Sequence, residues 1–225
     1  MIRKIILLAL LLANLSVYAN NRVDSVPLRV LILGNSITYH GAKASVGWSG
    51  NWGMAASAAE KDYVHLLESR IKAVKPDAVI KFGNIADSFE RQFWKYNIDA
   101  FKEYSKLNAD LIILEIGENI NDSLAVKNLL GTHLLAFVHE LSANKNLKVC
   151  LAGSFWPNRN IDRMMKTTCE QNNWLYVDLQ GLYQDRAKNT AIIQYSDKGV
   201  GRHPSDTGME NIANRIWAKI AYLFK

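Results

Sequence analysis

The sequence has few cysteines, no long apolar run and little excess charge, and each of these absences excludes or disfavours a class of protein. Of its 225 residues only two are cysteines. Cys150 lies in an apolar segment and Cys169 in a helical pattern, so they could pair in an oxidising compartment or stay as two separate buried thiols. Neither has the neighbours of a reactive thiolate.

The N-terminal apolar run, residues 5–13, is too short to favour a membrane span. Two basic residues precede it, and Ala19 is a small residue before a plausible cleavage site, which is the layout of a secretory signal peptide. No cysteine lies near this site, so a lipid-anchored precursor is not expected. The sequence predicts a signal peptide at residues 1–19 and a secreted or periplasmic domain at residues 20–225, with an uncleaved N-terminal anchor as the alternative.

The basic residues do not form a run. The formal net charge is +6 at pH 7, and removal of residues 1–19 would leave about +4. Basic and acidic residues are interspersed along the chain, which is typical of solvated surface and makes nucleic acid a poor candidate partner. The sequence shows no internal repeat, low-complexity tract or interdomain linker, so one domain is expected.

Five short apolar segments predict the strands of a buried parallel sheet. They are rich in β-branched and aliphatic residues and occupy residues 28–34, 78–84, 110–117, 147–153 and 174–179. Segments with apolar residues at helical spacing lie between and after them, at residues 62–74, 90–107, 123–144, 160–173 and 206–224. This alternation predicts an α/β fold, a single-domain doubly wound (flavodoxin-like) sandwich of about five parallel strands flanked by helices.

Candidate site residues follow the carboxyl ends of the predicted strands, where doubly wound sheets bind ligands. Ser36 follows the first strand, Ala86 the second and Asn119 the third. A serine hydroxyl is a weak nucleophile unless a base lies within hydrogen-bond reach. Of the five histidines, His203 is the best candidate base, because its loop before the last helix should return to the same rim.

The remaining motifs favour neither a metal nor a cofactor. His133 and His139 lie six residues apart, which is not a same-face helical spacing and makes a poor pair of metal ligands. The turn at residues 34–38 lacks the second and third glycines that let a backbone approach a pyrophosphate, so a dinucleotide-binding domain is set aside. No cofactor is therefore expected.

Four short motifs resemble those of the SGNH hydrolases, the GDSL-like esterases and lipases named after a Ser, a Gly, an Asn and a His. The motifs are "GNSIT", "NIADSFER", "GEN" and "HP", at residues 34–38, 84–91, 117–119 and 203–204. The resemblance implies that Ser36 is the nucleophile and His203 the base. It also implies an oxyanion hole made by the backbone N–H groups of Ser36 and Ala86 and the side-chain amide of Asn119. Ala86 stands where the family usually has glycine.

Val200 stands where the family usually has the Asp that orients the histidine. A backbone carbonyl near Val200 could accept the Nδ1–H of His203, Asp197 could reach the ring across a bulged loop, or there could be another partner or none. Asp206, close behind Pro204, is interpreted as the N-cap of the last helix.

The segment after the serine, residues 39–63, is long for a connection between a strand and a helix, and long ordered loops at a ligand rim are often functional. Trp48 and Trp52, flanked by glycines, are candidate substrate-binding residues that could stack on sugar rings, or they could pack the loop against its own domain. Trp156 and Arg159, beyond the fourth strand, are further candidates for the same cleft.

Together these features predict an exported serine esterase that acts on a small-molecule or glycan ester, with an O-acyl or acetyl group on a carbohydrate as the favoured substrate. No stable membrane insertion is expected after signal cleavage. Two alternatives stay open, namely a catalytically weakened glycan-binding protein on the same fold, and a lipase or thioesterase. The sequence does not indicate an oligomeric state.

Overall fold

A computed structural model describes residues 26–224, in which five strands form a parallel sheet. The strands are β1 (Arg29–Gly34), β2 (Val79–Asn84), β3 (Leu111–Glu115), β4 (Lys148–Ala152) and β5 (Leu175–Val177). Each lies within one of the five apolar segments that predicted it, and the α/β fold is confirmed. The predicted signal peptide, residues 1–19, lies outside the described residues and stays a prediction.

Helices cover both faces of this sheet. The α-helices are α1 (Tyr63–Val74), α2 (Lys102–Ser105), α3 (Asp122–Lys127), α4 (Leu130–Leu141), α5 (Arg159–Gln171), α6 (Arg186–Asn189), α7 (Lys198–Gly201) and α8 (Asp206–Ile220). Single 3₁₀ turns lie at Ala44–Val46, Ala59–Lys61, Glu90–Gln92, Ile98–Phe101 and Ala221–Phe224. Among residues 26–224, no helix has the length and apolarity that crossing a bilayer requires.

The core has two layers because successive residues of a strand point to opposite faces of the sheet. On one face, Val30 and Ile32 of β1 pack with apolar residues of α1 and α8. On the other face, Leu31 and Leu33 of the same strand pack with residues of α4 and α5, including Phe137. All four β1 side chains are fully buried, as the continuous apolar run predicts for a strand covered on both sides.

The strand order places a crevice beside the end of β1. The order is β2-β1-β3-β4-β5, so the chain turns to one side of β1 for β2 and to the other side for β3. Gly34 is in register with Asn84 on one neighbour and with Glu115 on the other, so the three carboxyl ends are level. Ligands of doubly wound folds bind at such a switch point. The residues that follow these three strand ends are therefore brought together.

The helix predicted over residues 90–107 is wrong. This segment consists of two 3₁₀ turns and the single helical turn α2. The apolar positions that suggested a helix, including Phe93 and Phe101, are indeed buried, but they pack from separate turns. A continuous helix is interrupted at Asn97, the N-cap of the second 3₁₀ turn, because its side chain accepts the Asp99 N–H at 3.0 Å.

Two helix boundaries also differ from the prediction. The segment at 123–144 is two helices, separated at Leu129, which adopts a left-handed conformation with φ of 53°. The N-cap of α8 is Ser205, whose hydroxyl accepts the Gly208 N–H at 3.3 Å. Asp206 is the first helical residue instead, and its carboxylate accepts the N–H and hydroxyl of Ser57 at 2.8 and 2.6 Å. The interpretation of Asp206 as the N-cap was therefore wrong.

The cysteines do not form a disulfide. Both Cys150 and Cys169 are buried free thiols. Cys150 belongs to the core layer of α1 and α8, whereas Cys169 belongs to the opposite layer. Burial raises the pKa of each thiol to about 12, so both stay protonated and unreactive at neutral pH.

Candidate active site

Ser36 lies in the tight turn that leaves β1. The turn begins at once because the Asn35 carbonyl accepts the N–H groups of Thr38 and Tyr39 at 3.1 and 3.0 Å. Gly34 is required before it, since a Cβ there would overlap the Thr38 side chain and the carbonyl of Glu115. No acceptor among residues 26–224 takes the Ser36 N–H. Both the hydroxyl and the N–H of this serine are thus presented at the end of the sheet.

The His203 ring lies between the serine and a backbone carbonyl. Its Nε2 is 2.8 Å from Ser36 Oγ, and its Nδ1 is 2.8 Å from the carbonyl oxygen of Gly199. A carbonyl oxygen can only accept, so Nδ1 carries the proton of the neutral ring. Nε2 is then the acceptor, and it takes the hydrogen bond from the serine hydroxyl. This tautomer is the one that a general base requires.

His203 is also shielded from water. The residue is only 8% exposed. The indole of Trp156 meets its ring edge-on, with centroids 4.9 Å apart and planes at 89°. Burial disfavours the charged imidazolium and lowers the pKa of His203 to about 4, although the hydrogen bond to Gly199 opposes this effect. The imidazole is therefore neutral at physiological pH.

Of the partners considered for Nδ1, the geometry supplies the backbone carbonyl. Gly199, next to Val200, provides it from the short helix α7. Asp197 is the N-cap of the same helix, and its Oδ1 accepts the Val200 N–H at 2.8 Å. This carboxylate holds the helix that carries the carbonyl, but it makes no hydrogen bond with the ring.

Asn119 and Ala86 lie at the same rim. A cavity of about 580 Å³ is lined by both residues together with Ser36 and His203. The Asn119 side chain donates one Nδ2 hydrogen to Glu90 at 2.8 Å, which leaves the second for a ligand. The Ala86 N–H, in contrast, donates to the side-chain oxygen of Asn84 at 2.9 Å. Of the three expected oxyanion donors, those of Ser36 and Asn119 are open in this arrangement, and that of Ala86 is occupied.

The two tryptophans of the long loop do not line this cavity. Trp48 is only 2% exposed, and its indole N–H donates to the carbonyl of His40 at 3.0 Å. Trp52 meets Trp48 edge-on at 5.7 Å and donates its own N–H to the Ala56 carbonyl at 2.8 Å. The geometry therefore favours the packing alternative, in which both rings join a small core between this loop and residues 191–200. It gives no support for stacking on sugar rings. Of the further candidates, Trp156 contacts the His203 ring, whereas Arg159 lines a separate cavity beyond β4.

Three glutamates, Glu90, Glu115 and Glu118, lie behind the site, and the sequence patterns did not predict their positions. The half-buried Glu118 accepts the Asn35 side-chain amide at 2.7 Å and the Phe155 N–H at 2.6 Å, which links the serine turn to the end of β4. Glu115 is fully buried, and neither carboxyl oxygen has a hydrogen-bond partner within residues 26–224. A visible signal was the acidic residue inside the apolar run "LIILEIG".

The carboxyl groups of Glu115 and Glu118 resist ionisation. Burial, with repulsion from Glu90, raises the pKa of Glu118 to about 8. Burial also raises the pKa of Glu115 well above its usual range, and the charges of Glu118 and Glu90 add to the effect. In the part of the chain that the structure describes, no group of three or more His, Cys, Asp or Glu residues is arranged to hold a metal ion.

Comparison with protein-family models finds no match to the sequence, and comparison with curated proteins finds none either. Solved structures do share its fold. A two-domain esterase (CEX) active on acetylated mannans, crystallised with mannopentaose, superimposes with a TM-score of 0.59 at 19% identity, covering 88% of this chain and 51% of that one. This chain thus spans about half the length of that esterase.

Two further structures extend the likeness. A family two carbohydrate esterase from Cellvibrio japonicus gives a TM-score of 0.52 at 14% identity, over 89% of this chain and 63% of that one. A protein assigned as a GDSL-like lipase from Bacteroides uniformis ATCC 8492 gives 0.54 at 15% identity, over 90% and 100%. The resemblance read from the sequence is therefore confirmed at the level of the fold: the described chain has the α/β fold that this GDSL-like lipase and these two carbohydrate esterases share.

Proposed function

We propose that this protein is an exported serine esterase that removes a small acyl group, such as acetyl, from a carbohydrate. The observation that carries the proposal is the hydrogen-bonded series from Ser36 Oγ through the His203 ring to the Gly199 carbonyl, with 2.8 Å at each step. A hydroxyl paired with a neutral, oriented imidazole is the minimum arrangement for nucleophilic acyl transfer.

In the proposed reaction, Ser36 Oγ attacks the ester carbonyl carbon while His203 Nε2 takes the hydroxyl proton. The carbonyl oxygen becomes an oxyanion, which accepts hydrogen bonds from the Ser36 N–H and from the second Nδ2 hydrogen of Asn119. The tetrahedral species collapses, the C–O bond to the sugar breaks, and His203 passes its proton to the leaving alkoxide. Water then attacks the acyl carbon while the same nitrogen takes one of its protons. The bond from that carbon to Ser36 Oγ breaks, His203 returns the proton to Oγ, and the carboxylic acid leaves.

The character of the cavity supports a polar substrate. Besides the reacting groups, Lys43 and Asp87 line it, and charged walls suit a sugar better than an acyl chain or another apolar substrate. Two solved structures with this fold are of an esterase active on acetylated mannans. We therefore rank a carbohydrate ester above the substrates of a lipase or thioesterase.

The glycan-binding alternative rested on the missing Asp at position 200. The Gly199 carbonyl at Nδ1 removes that motive, because it can fix the tautomer of the ring without a carboxylate. We therefore rank the esterase above the glycan-binding alternative.

Three assays test this function: acetate release from acetylated manno-oligosaccharides, hydrolysis of p-nitrophenyl acetate, and labelling by a fluorophosphonate. The native protein should hydrolyse both esters and take up one label. Ser36→Ala should abolish labelling and lower kcat by at least about 10⁴-fold. Ser88→Ala is the matched control, because Ser88 lines the same cavity and makes no hydrogen bond to a histidine within residues 26–224.

Labelling that persists in Ser36→Ala would refute the assigned nucleophile. A native protein that neither hydrolyses the esters nor reacts with the probe, yet binds manno-oligosaccharides in calorimetry, would instead establish the glycan-binding alternative.

A further inference from the structure

The carboxamide of Asn119 is held at both ends by two residues that are adjacent in the sequence. Its Nδ2 donates to Glu90 Oε2 at 2.8 Å, and its Oδ1 accepts from Nη2 of Arg91. The two residues belong to the turn after β2, whereas Asn119 follows β3. These hydrogen bonds therefore reach from one strand end across the crevice to another.

The two hydrogen bonds select one orientation of the amide. Burial raises the pKa of Glu90, but both of its oxygens accept hydrogen bonds from N–H groups, which favour the carboxylate form. A carboxylate accepts hydrogen bonds and a guanidinium donates them, so each can satisfy only one end of the Asn119 side chain. Rotation of the amide by 180° would place its oxygen against Glu90 and its NH₂ against Arg91, and neither hydrogen bond could then form. In the observed orientation the free Nδ2 hydrogen remains for the cavity. In the other orientation the oxygen would face that position and would repel an oxyanion.

The local structure makes this arrangement rigid. Glu90 is fully buried, and its other oxygen accepts the Gly117 N–H at 2.6 Å, two residues before Asn119. One carboxylate thus holds both the backbone and the side chain of the segment that carries the amide. Arg91 is exposed on the cavity side and also donates to the carboxylate of Asp87, four residues earlier, which restrains the guanidinium.

We propose that Glu90 and Arg91 are positioning residues, which orient the Asn119 amide so that its Nδ2–H faces the oxyanion of the esterase reaction. This inference rests on the proposed function and deepens it, because the pair acts through Asn119 and does not touch the reacting atoms. The sequence "ER" in "NIADSFER" is thereby given a role that the motif match alone did not supply.

Arg91→Met is the most informative variant, because an exposed side chain can be changed with little risk to folding. It should lower kcat by about 10- to 100-fold, since the amide can then rotate away from its productive orientation, and leave KM and the unfolding midpoint nearly unchanged. Arg70→Met is the matched control: Arg70 also donates to an asparagine oxygen, that of Asn214, at 2.7 Å, but between α1 and α8. It should leave kcat unchanged.

A double-mutant cycle separates positioning from a direct effect of charge. Asn119→Ala alone should lower kcat by about 10²- to 10³-fold. Adding Arg91→Met to it should lower kcat no further, because no amide remains to be oriented. Glu90→Gln should also lower kcat on its own and lower it no further when added to Asn119→Ala. It should lower the unfolding midpoint as well, because a buried amide cannot accept both hydrogen bonds that the carboxylate accepts.

Failure of this inference and failure of the proposed function look different. If the native protein is labelled at Ser36 and hydrolyses esters, but the losses of kcat from Arg91→Met and Asn119→Ala multiply, the positioning role is wrong and the esterase stands. If the native protein shows neither labelling nor hydrolysis, both proposals fall together. A fall in kcat in each single variant, without further loss in the double variant, would support both.

Discussion

The burial of His203 has a consequence that can be measured by lowering the pH. The proposed base works only as a neutral imidazole, so activity is lost where the ring becomes protonated. For an ordinary histidine that occurs near pH 6.5, but burial lowers the pKa of His203 to about 4. Catalysis is therefore present above about pH 4 and is lost as the pH falls through that value.

The difference between the neutral fractions of the buried ring and of an ordinary histidine is largest near pH 5. A group with a pKa of about 4 is roughly 90% neutral there, whereas one with a pKa of 6.5 is only about 3% neutral. The native protein should thus keep about nine tenths of its maximal kcat/KM at pH 5, some 30-fold more than an exposed histidine would allow. The same burial has a cost for stability: between pH 6.5 and 4 the unfolded chain binds a proton that the folded ring refuses, so the free energy of unfolding falls as the pH falls through this window.

The assay is the pH profile of kcat/KM for p-nitrophenyl acetate, with each reaction quenched into one alkaline buffer so that product absorbance is read under a single condition. Circular dichroism at each pH shows whether the fold persists. Trp156→Ala should expose the ring and move the acid limb towards pH 6.5, because the indole contributes to its burial. Trp217→Ala is the control, since this indole stacks on Phe224 at 5.4 Å and does not line the cavity.

An acid limb centred near pH 6.5 in the native protein, with the fold intact, would refute this reasoning. It would mean that water reaches the ring or that another group controls the limb. An acid limb that stays near pH 4 in Trp156→Ala would show that the indole is not what shields the imidazole.

Two other substitutions test the surroundings of the site. Asp197→Asn should change kcat by less than about threefold, because the Nδ1 of His203 faces Gly199 and the amide can still cap α7; a loss beyond about 100-fold would show that the carboxylate orients the ring. Glu115→Gln should stabilise the protein at pH 8 but not at pH 4. Because burial raises the pKa of this carboxyl in the folded protein, the free energy of unfolding falls as the pH rises above the ordinary pKa of 4.5. The fall is about 1.4 kcal/mol per pH unit until the group ionises in the folded state. Urea unfolding at both pH values measures this, and parallel pH dependence in the two proteins would contradict it.

The sheet and the meeting of Ser36, Asn119 and His203 at one rim followed from the sequence because both depend on local patterns. Short apolar runs are typical of strands covered on both faces, as β1 and β3 are, although the edge strand β2 is largely exposed. Parallel strands bring their carboxyl ends to one edge. Ser36, Asn119 and His203 each lie within a few residues of such an end or in the loop that returns to it. Knowledge of the strand order was not needed to predict that they meet.

What the sequence could not supply depends on contacts between distant segments. Nothing in the sequence around Trp48 distinguishes a ring that faces a ligand from one that packs beneath its own loop, because both need a large apolar surface next to glycine. The partner of Nδ1 is a main-chain atom, and no side chain reports it. The apolar spacing places Glu90 in a helix, whereas its buried carboxylate is satisfied by the Gly117 and Asn119 donors, which reach it only in the folded chain.

The orienting carbonyl of Gly199 makes the proposed base unusually tolerant of point substitution. Every amino acid carries the same main-chain oxygen, so no single side-chain replacement can remove this acceptor, as replacing an aspartate would in a Ser-His-Asp enzyme. The vulnerable property is instead the chain length between Asp197 and His203. Insertion or deletion of one residue there would rotate the carbonyl away from the ring. Substitutions in this stretch are therefore expected to be tolerated, whereas changes in its length are not.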